Sequence, residues 1–194
     1  MAAITPTEGQ RHLLERHLDE LDVWNRRLNL TAVPRDRAWE RHVEETLGLL
    51  AAAAVPAGAA VVDVGSGGGI PGVVVAVMRP DLTVTLIEAD RRKAGFLIHV
   101  AGLLELDNVT VAARRAEEMG RDPEHHERHD VVVSRATAPP PLLVELAMPL
   151  LRPGGALWAL VGDAAAAAAA LGGRAGVRAW AAAPGILAVE KRAP

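Results

Sequence analysis

The 194-residue chain contains no cysteine, and aromatic residues make up only 3% of it. The absence of cysteine excludes disulfide bonds, thiolate metal sites and thiol nucleophiles. The first residues also lack the charged and apolar segments of a secretory signal, and the apolar runs are far too short to cross a bilayer. From these absences we expect a cytoplasmic protein that does not bind a membrane.

The chain also lacks a strong excess of either charge, since its formal net charge is −3. This argues against a protein that coats nucleic acid by charge alone, because non-specific affinity comes from neutralising phosphates. Arginines are nevertheless clustered locally, as at Arg26-Arg27 and Arg114-Arg115. Each cluster is either a solvated surface or part of a basic face. Half of the residues are apolar, which is enough for the core of one domain.

A histidine cluster precedes one of the predicted strands. His125, His126 and His129 lie in a polar segment, which could be a metal site or a solvated loop. The loop is the favoured interpretation, so we expect no metal. No Ser-His-Asp or Cys-His arrangement of a nucleophilic enzyme stands out in the sequence.

The hydrophobic pattern divides the chain into a helical part and an alternating part. Thr7 and Gln10 have the spacing of a capping box, and leucines then recur at helical spacing to about residue 28. A second helix is predicted over 36–54. From residue 59, strands predicted over 59–64, 82–88, 109–112, 129–134 and 155–161 alternate with helices, one of them near 141–151. A closing hairpin is predicted from strands over 177–182 and 185–191. We therefore expect a helical extension over 1–58, packed on an α/β domain over 59–194 with helices on both faces of a parallel sheet.

The most informative segment is Asp63–Gly72 (DVGSGGGIPG), which follows the first predicted strand. Its glycines at 65, 67 and 69 permit a sharp bend and the close approach of a ligand. The next helix points free N–H groups back at that ligand. Such a strand–turn–helix unit binds nucleotide-like molecules at the carboxyl edge of a parallel sheet.

Two cofactors fit this segment. Gly67, Gly69 and Gly72 match the dinucleotide pattern G-x-G-x-x-G. Counted from Asp63, the same residues match D-x-G-x-G-x-G, which is typical of S-adenosylmethionine-dependent methyltransferases. The late position of the segment and the methyltransferase-like turn Leu150–Trp158 favour the second interpretation. A nicotinamide or flavin enzyme and a glycine turn without a ligand remain the alternatives.

Acidic residues follow the next two predicted strands. Glu88 ends the second strand, where a carboxylate can accept both hydroxyls of a ribose, although it could also simply face solvent. Ala116 and Glu117 follow the third strand, where the adenine would lie, but they also suit an ordinary helix N-terminus. Asp63 is expected to orient the turn, or to meet the methionine part of the cofactor through water, rather than to act as a base.

Arg135 follows the fourth predicted strand, where the methyl group would be delivered. Enzymes that methylate exocyclic amines often carry Asn/Asp-Pro-Pro-aromatic here, whereas Pro139-Pro140-Pro141 has neither the preceding acid or amide nor the aromatic. This argues against the exocyclic amine of adenine or cytosine as acceptor. Arg135 can donate to a guanine edge or fix an anion, and a structural salt bridge is the competing interpretation.

Several motifs together resemble one known family over roughly residues 20–162. They are Trp24–Ala32, Arg41-His42, Asp63–Gly72, Arg114–Glu117, Ser134–Ala136 and Leu150–Gly155. The family is that of the small-subunit ribosomal RNA guanine-N7 methyltransferases, also called glucose-inhibited division protein B. The resemblance implies a class I methyltransferase fold with a mostly parallel, seven-stranded Rossmann-like sheet and an N-terminal helical extension.

The resemblance also implies a function and a set of site residues. It implies transfer of a methyl group from S-adenosyl-L-methionine to N7 of one guanine in 16S rRNA, with free 16S rRNA or the 30S subunit as partner. No obligate protein partner is evident from the sequence, so we expect a monomer. Because N7 already presents a lone pair, no general base is expected, and Arg135 organises the site. The expected cofactor-binding residues are Asp63, Gly65, Gly67, Gly69, Ile70, Glu88, Ala116, Glu117 and Arg135. The expected RNA-binding residues are Arg26, Arg27, Asn29, Arg41 and His42.

The sequence departs from the family pattern at three places. Glu45-Thr46-Leu47 replaces the more usual Asp-Ser-Leu, Val161 stands where many members carry a lysine, and the region after 162 is rich in alanine. The last two departures concern how the chain would bind RNA rather than how it would bind the cofactor. The alternative functions are a methyltransferase acting on a small molecule or a protein, and a non-catalytic module that senses the cofactor.

Overall fold

The structure, a computed structural model, describes residues 4–135 and 137–193. Residues 1–3, which belong to the segment examined for a secretory signal, and Ala136 of the motif Ser134–Ala136 lie outside the described residues. Helix α1 spans Glu8–Leu28 and begins at the predicted capping box. The Thr7 backbone N–H donates to Gln10 Oε1 (3.0 Å), and the Gln10 backbone N–H donates to Thr7 Oγ1 (3.3 Å).

The predicted second helix is helical throughout, but it has three parts. Helix α2 spans Arg35–Ala38, a π-helical turn follows over Trp39–Glu44, and helix α3 spans Glu45–Ala53. A π-helical turn inserts one residue into the helical repeat and is frequent at functional sites. Here it rotates the side chains that follow it relative to those of α2.

Within the described residues, the sheet contains seven strands in the order β3-β2-β1-β4-β5-β7-β6. Strands β1 to β5 pair in parallel, and β7 pairs antiparallel with β5 and β6. The predicted seven-stranded, mostly parallel class I sheet is thus confirmed. The strands are β1 (Ala60–Val64), β2 (Thr83–Ile87), β3 (Val109–Ala112), β4 (His129–Arg135), β5 (Leu151–Leu160), β6 (Val177–Ala183) and β7 (Ile186–Lys191).

Helices cover both faces of the sheet, as predicted. They are α4 (Gly72–Met78), α5 (Arg91–Leu103), α6 (Ala116–Arg121), α7 (Pro140–Ala147) and α8 (Ala164–Ala170). Successive residues of β1 point to opposite faces, so Val61 belongs to one core cluster and Val62 to the other. Helices α1, α3, α4 and α5 contribute to the first cluster, and α6, α7 and α8 to the second. Because the N-terminal helices share a core with the sheet, the division into 1–58 and 59–194 stays a prediction.

The junction between α7 and β5 differs from its prediction at both boundaries. Helix α7 ends at Ala147 rather than near residue 151, and β5 begins at Leu151 rather than at 155. Leu151 pairs with His129 of β4, and the register shifts before the next pair, which joins Val131 to Ala156. This irregularity accommodates Pro153, Gly154 and Gly155, which look like a turn in the sequence. None of the described helices combines the length and apolar character needed to cross a membrane.

Candidate functional site

A cleft of about 590 Å³ lies at the carboxyl ends of β1, β2 and β4. We call it the glycine-loop cleft, because residues 65–68 form part of its wall. Most of the predicted cofactor residues line it, namely Gly65, Gly67, Ile70, Glu88, Ala116, Glu117 and Arg135. Asp63 and Gly69 are not among the lining residues. The structure therefore gathers residues from four separate loops at one edge of the sheet.

Glu88 holds the glycine loop in place. Its Oε2 accepts a hydrogen bond from the Gly67 N–H (2.9 Å), and its Oε1 accepts one from the Asp90 N–H (2.8 Å). A carboxylate has about four lone-pair sites, so each oxygen of Glu88 retains acceptor capacity toward the cleft. Gly65 and Gly67 adopt positive φ angles of 72° and 50°, the left-handed region that favours glycine.

Asp63 lies behind the loop rather than in the cleft. Its side chain is fully buried, and its Oδ2 accepts a hydrogen bond from the Gly72 N–H at 3.0 Å. Burial raises the pKa of this carboxyl to about 7, and the nearby charge of Glu88 adds to the effect. The contact fastens the end of β1 to the start of α4. The predicted role of Asp63 in holding the cofactor stays a prediction.

His17 of α1 supports the loop from the other side and was not among the predicted site residues. Its side chain is completely buried, and Nε2 lies 2.8 Å from the Gly68 carbonyl oxygen, to which it donates. Burial lowers the pKa of His17 to about 4, so the ring is neutral at physiological pH. A side chain at Gly69 would bring a Cβ within 3.2 Å of this ring. The feature of the sequence that could have indicated this role is a histidine among the leucines on the apolar face of the predicted helix.

The motif Trp24–Ala32 builds another wall of the cleft. Asn25 Oδ1 accepts hydrogen bonds from the backbone N–H groups of Leu30 (2.6 Å) and Thr31 (2.9 Å). Asn25 Nδ2 donates to the Thr31 carbonyl oxygen at 2.8 Å. The turn shaped in this way supplies Leu30, Thr31 and Val33 to the lining. The role of Asn25 is structural, and Asn25 was not among the predicted site residues.

Three of the predicted RNA-binding residues lie together at the end of α1. Arg26 is highly exposed and forms an ion pair with Asp22 at 3.4 Å. Arg27 is exposed, and Asn29 caps the helix in a left-handed conformation with φ of 49°. These positions present two cations to solvent beside the turn that forms the cleft wall. Their contact with RNA stays a prediction.

The other two predicted RNA-binding residues, Arg41 and His42, lie in the π-helical turn and have different surroundings. Arg41 is half-exposed and pairs with Glu45 at 2.9 Å. His42 is only 3% exposed, and its Nε2 lies 3.1 Å from Thr31 Oγ1, so it belongs to the lining of the glycine-loop cleft rather than to the outer surface. Burial lowers the pKa of His42 to about 4, and the charge of Arg135 adds to this. An RNA contact for His42 also stays a prediction, but the ring is not exposed to make one.

Arg135 is held at the end of β4 by residues of the π-helical turn and α3. Its guanidinium pairs with Glu45 Oε2 at 3.1 Å and donates to the Arg41 carbonyl oxygen. Its side chain is only 16% exposed, and burial lowers its pKa from the ordinary arginine value. Glu45, which replaces the more usual aspartate, thus binds both arginines. Arg135 lines the glycine-loop cleft and also a second cavity of about 990 Å³.

Thr137 closes the space above the first glycine. Its Oγ1 donates to the Val64 carbonyl oxygen at 2.9 Å, and Ser134 Oγ donates to the same oxygen at 2.9 Å. A Cβ at Gly65 would come within 2.2 Å of Thr137 Cγ2. The chain after β4 therefore packs directly on the glycine loop, and Gly65 is required by this approach as well as by its φ.

The predicted metal alternative concerned the segment before β4. The rings of His125 and His129 stack with centroids 6.0 Å apart, and His126 Nδ1 lies 2.7 Å from the Gly120 carbonyl oxygen. Across 4–135 and 137–193, no group of three or more histidines and carboxylates is arranged to hold a metal ion.

Comparison with known proteins assigns the chain to a family. The family model described as GidB, rRNA small subunit methyltransferase G, matches residues 10–174. The chain belongs to the GidB family. The family resemblance of its motifs is therefore confirmed.

Curated relatives of this GidB-family chain include two named Ribosomal RNA small subunit methyltransferase G. The protein of Roseiflexus castenholzii is 42% identical over 151 residues, which cover 77% of this chain and 64% of that protein. The protein of Chloroflexus aggregans is 45% identical over 155 residues, covering 79% and 64% respectively. The chain thus spans about 64% of the length of these relatives.

A solved structure supports the fold of this GidB-family chain. A candidate S-adenosyl-L-methionine-dependent methyltransferase from Methanococcus maripaludis superposes with a TM-score of 0.63 at 10% identity. The match covers 100% of this chain and 98% of the other. At this identity the likeness concerns the fold alone.

Proposed function

We propose that this chain is an S-adenosyl-L-methionine-dependent methyltransferase that modifies N7 of a specific guanine in 16S rRNA. The observation that carries the proposal is the glycine-loop cleft, with the strand-end acid Glu88 bonded to its loop, in a chain of the GidB family. The names of the relatives supply the ribosomal RNA substrate. The choice of N7 rests on the family resemblance and on the missing amine-directed motif.

The residues of the cleft suit this cofactor in size and in chemistry. Its volume of about 590 Å³ lies within the usual range for small-molecule sites. Glu88 would accept the ribose hydroxyls with the acceptor capacity left by its two backbone hydrogen bonds. Ala116 and Glu117, at the start of α6, would border the adenine. When bound, the cofactor supplies an electrophilic methyl group on a sulfonium.

The protein's part in the reaction is mainly to position the acceptor. Guanine N7 carries a lone pair and no proton, so no side chain has to remove a proton before attack. Asp63, a carboxyl whose pKa is raised to about 7, is buried outside the cleft lining and is not placed to act as a base. Arg135, held by Glu45, would orient the acceptor beside the cleft. Positioning of this kind supplies a large part of many enzymatic rate enhancements.

The test uses methyl-tritiated S-adenosylmethionine and 30S subunits or 16S rRNA that lack the modification. Borohydride and aniline then cleave RNA strands at 7-methylguanosine, and we expect label at a single cleavable guanine. Glu88→Gln should weaken cofactor binding by at least about tenfold, because a charged acceptor is lost. Glu118→Gln is the control, because Glu118 is an exposed acid of α6 that does not line the cleft.

The outcome also separates the alternative functions. Cofactor binding with label on a small molecule or a protein, but none on RNA, would replace rRNA as the substrate. Cofactor binding without any transfer would favour a sensing module.

We further infer that the chain acts as a monomer in the cytoplasm, where its proposed partner, 16S rRNA or the 30S subunit, is found. The described helices include no candidate membrane span, which is compatible with that location. Sedimentation equilibrium of the purified protein checks the oligomeric state. A dimer at micromolar concentration would contradict the inference.

A further inference from the structure

The second cavity adjoins the glycine-loop cleft on the other side of Arg135. It lies at the carboxyl ends of β4 and β5 and at the turn between β6 and β7. Among the described residues, Arg135 is the one that lines both spaces. A molecule in the second cavity would therefore lie next to a cofactor in the cleft, with the Arg135 guanidinium between or beside them.

The second cavity is lined mostly by small, apolar side chains. Alanines from one face of α8, Ala166, Ala167 and Ala170, form one wall, and Pro140 and Pro184 also line the space. The short side chains of the alanine-rich segment leave this space open, because longer side chains at these positions would project into the cavity. With about 990 Å³, the cavity is large enough for a nucleotide.

Charged side chains lie at two places in the lining of the second cavity. Arg41, Glu45 and Arg135 form the ion-paired cluster described above, which reaches both the cavity and the end of β4. Asp163 follows β5 and precedes α8. Its Oδ1 accepts a hydrogen bond from the Ala166 N–H at 2.9 Å, which orients the carboxylate beside the alanine wall.

This combination matches the chemistry of a guanine base. Flipped bases are held between apolar surfaces and are read by hydrogen bonds to their Watson–Crick edge. That edge of guanine presents the donors N1–H and N2–H₂, which suit a carboxylate. O6 can accept from an arginine, while the lone pair of N7 stays free to attack the methyl group. A carboxylate at one place and an arginine at another can therefore read opposite edges of the same base.

We propose that the second cavity receives the target guanine, flipped out of the RNA, with the α8 alanines as its wall and Asp163 as the reader of its Watson–Crick edge. The opposite edge, which carries N7, then faces Arg135 and the glycine-loop cleft. The inference rests on the proposed function, since it names the place of the acceptor in that reaction.

The first experiment fills the cavity and compares two neighbouring positions of α8. Ala166 and Ala165 are both exposed, but only Ala166 lines the cavity. Ala166→Trp should lower kcat/KM for 30S subunits by at least tenfold and leave the dissociation constant of S-adenosylmethionine unchanged. Ala165→Trp should retain the wild-type value of both quantities. Equal kcat/KM in the two variants would overturn the proposal while the proposed rRNA function stands.

The second experiment measures base binding without turnover. Saturation-transfer NMR with guanosine 5′-monophosphate, in the presence of S-adenosylhomocysteine, should show binding that Ala166→Trp abolishes and Ala165→Trp leaves intact. Asp163→Asn, which retains an N-cap residue, should weaken guanosine monophosphate by about tenfold and adenosine monophosphate much less.

The two experiments separate the failure of each proposal. Absence of guanosine monophosphate binding to the wild-type protein overturns the guanine cavity, whatever the RNA assay gives. Binding that depends on Ala166 and Asp163, in a protein that does not methylate rRNA, supports the cavity and refutes the rRNA substrate.

Discussion

The buried carboxyl of Asp63 leads to a quantitative prediction for folding stability as a function of pH. Burial raises its pKa from 3.8 to about 7 in the folded protein. Between these values the folded protein binds one more proton than the unfolded chain does. Its contribution to stability is therefore fully present below pH 3.8, decreases as the pH rises toward 7, and is constant above that pH.

Asp63→Asn removes this titration and retains a carbonyl oxygen that can accept from the Gly72 N–H. Between pH 3.8 and 7 the wild-type protein loses about 1.4 kcal/mol per pH unit relative to the variant, because Asp63 is ionised in the unfolded chain but protonated in the folded protein. The free energy of unfolding of the variant minus that of the wild type should thus be larger at pH 8 than at pH 5 by about 3 kcal/mol. Any fixed cost of burying the amide N–H groups cancels in this comparison, and so does the titration of the buried histidines.

Urea unfolding followed by circular dichroism at both pH values measures this change. Asp107→Asn is the matched control, because Asp107 is exposed, and its difference from the wild type should not depend on pH. A difference for Asp63→Asn that is the same at pH 5 and pH 8 to within about 0.5 kcal/mol would refute the raised pKa and its origin in burial.

Three further changes test the packing around the cleft. Gly72→Ala should destabilise the fold by about 1–3 kcal/mol in urea, because its Cβ would lie 2.3 Å from a leucine side chain, whereas Gly95→Ala meets nothing within 4 Å and should not destabilise it. Burial lowers the pKa of His17 from 6.5 to about 4, so stability is lost as pH falls between these values. His17→Leu should remove about 3 kcal/mol of this acid-induced loss, and an unchanged acid sensitivity would contradict the assignment. Asn25→Ala deprives two backbone N–H groups of their acceptor and should cost about 1–3 kcal/mol, while Asn25→Asp should cost less; equal losses in urea would count against the hydrogen bonds described.

The fold was predictable because its signals are local. Glycines and prolines separate the apolar runs that became β1 to β4, and the structure places those strands within about one residue of their predicted bounds. The prediction was wrong where one segment has two local interpretations. Residues 152–155 look like a turn and have no partner on β4, but Leu151 before them pairs with His129, so β5 begins at Leu151.

The candidate site was predictable only in part. The parallel order of the strands brings the ends of β1, β2 and β4 to one edge, so Gly67 and Glu88 could be expected to meet there, and they do, through a hydrogen bond of 2.9 Å. The partners of His17 and Arg135 could not be derived in the same way. His17 reaches a carbonyl 51 residues away, and no periodicity along a helix identifies that contact.

The sequence by itself determined the order of strands and helices, the position of the glycine loop and the acid that bonds to it. These features follow from side-chain period and backbone freedom, which act over a few neighbouring residues. The tertiary structure decided that Asp63 is buried behind the loop, that Glu45 binds Arg135, and that the α8 alanines line a cavity. The reason is that burial, pKa and the shape of a cavity are set by atoms that are distant along the chain and meet only when the helices pack on the sheet.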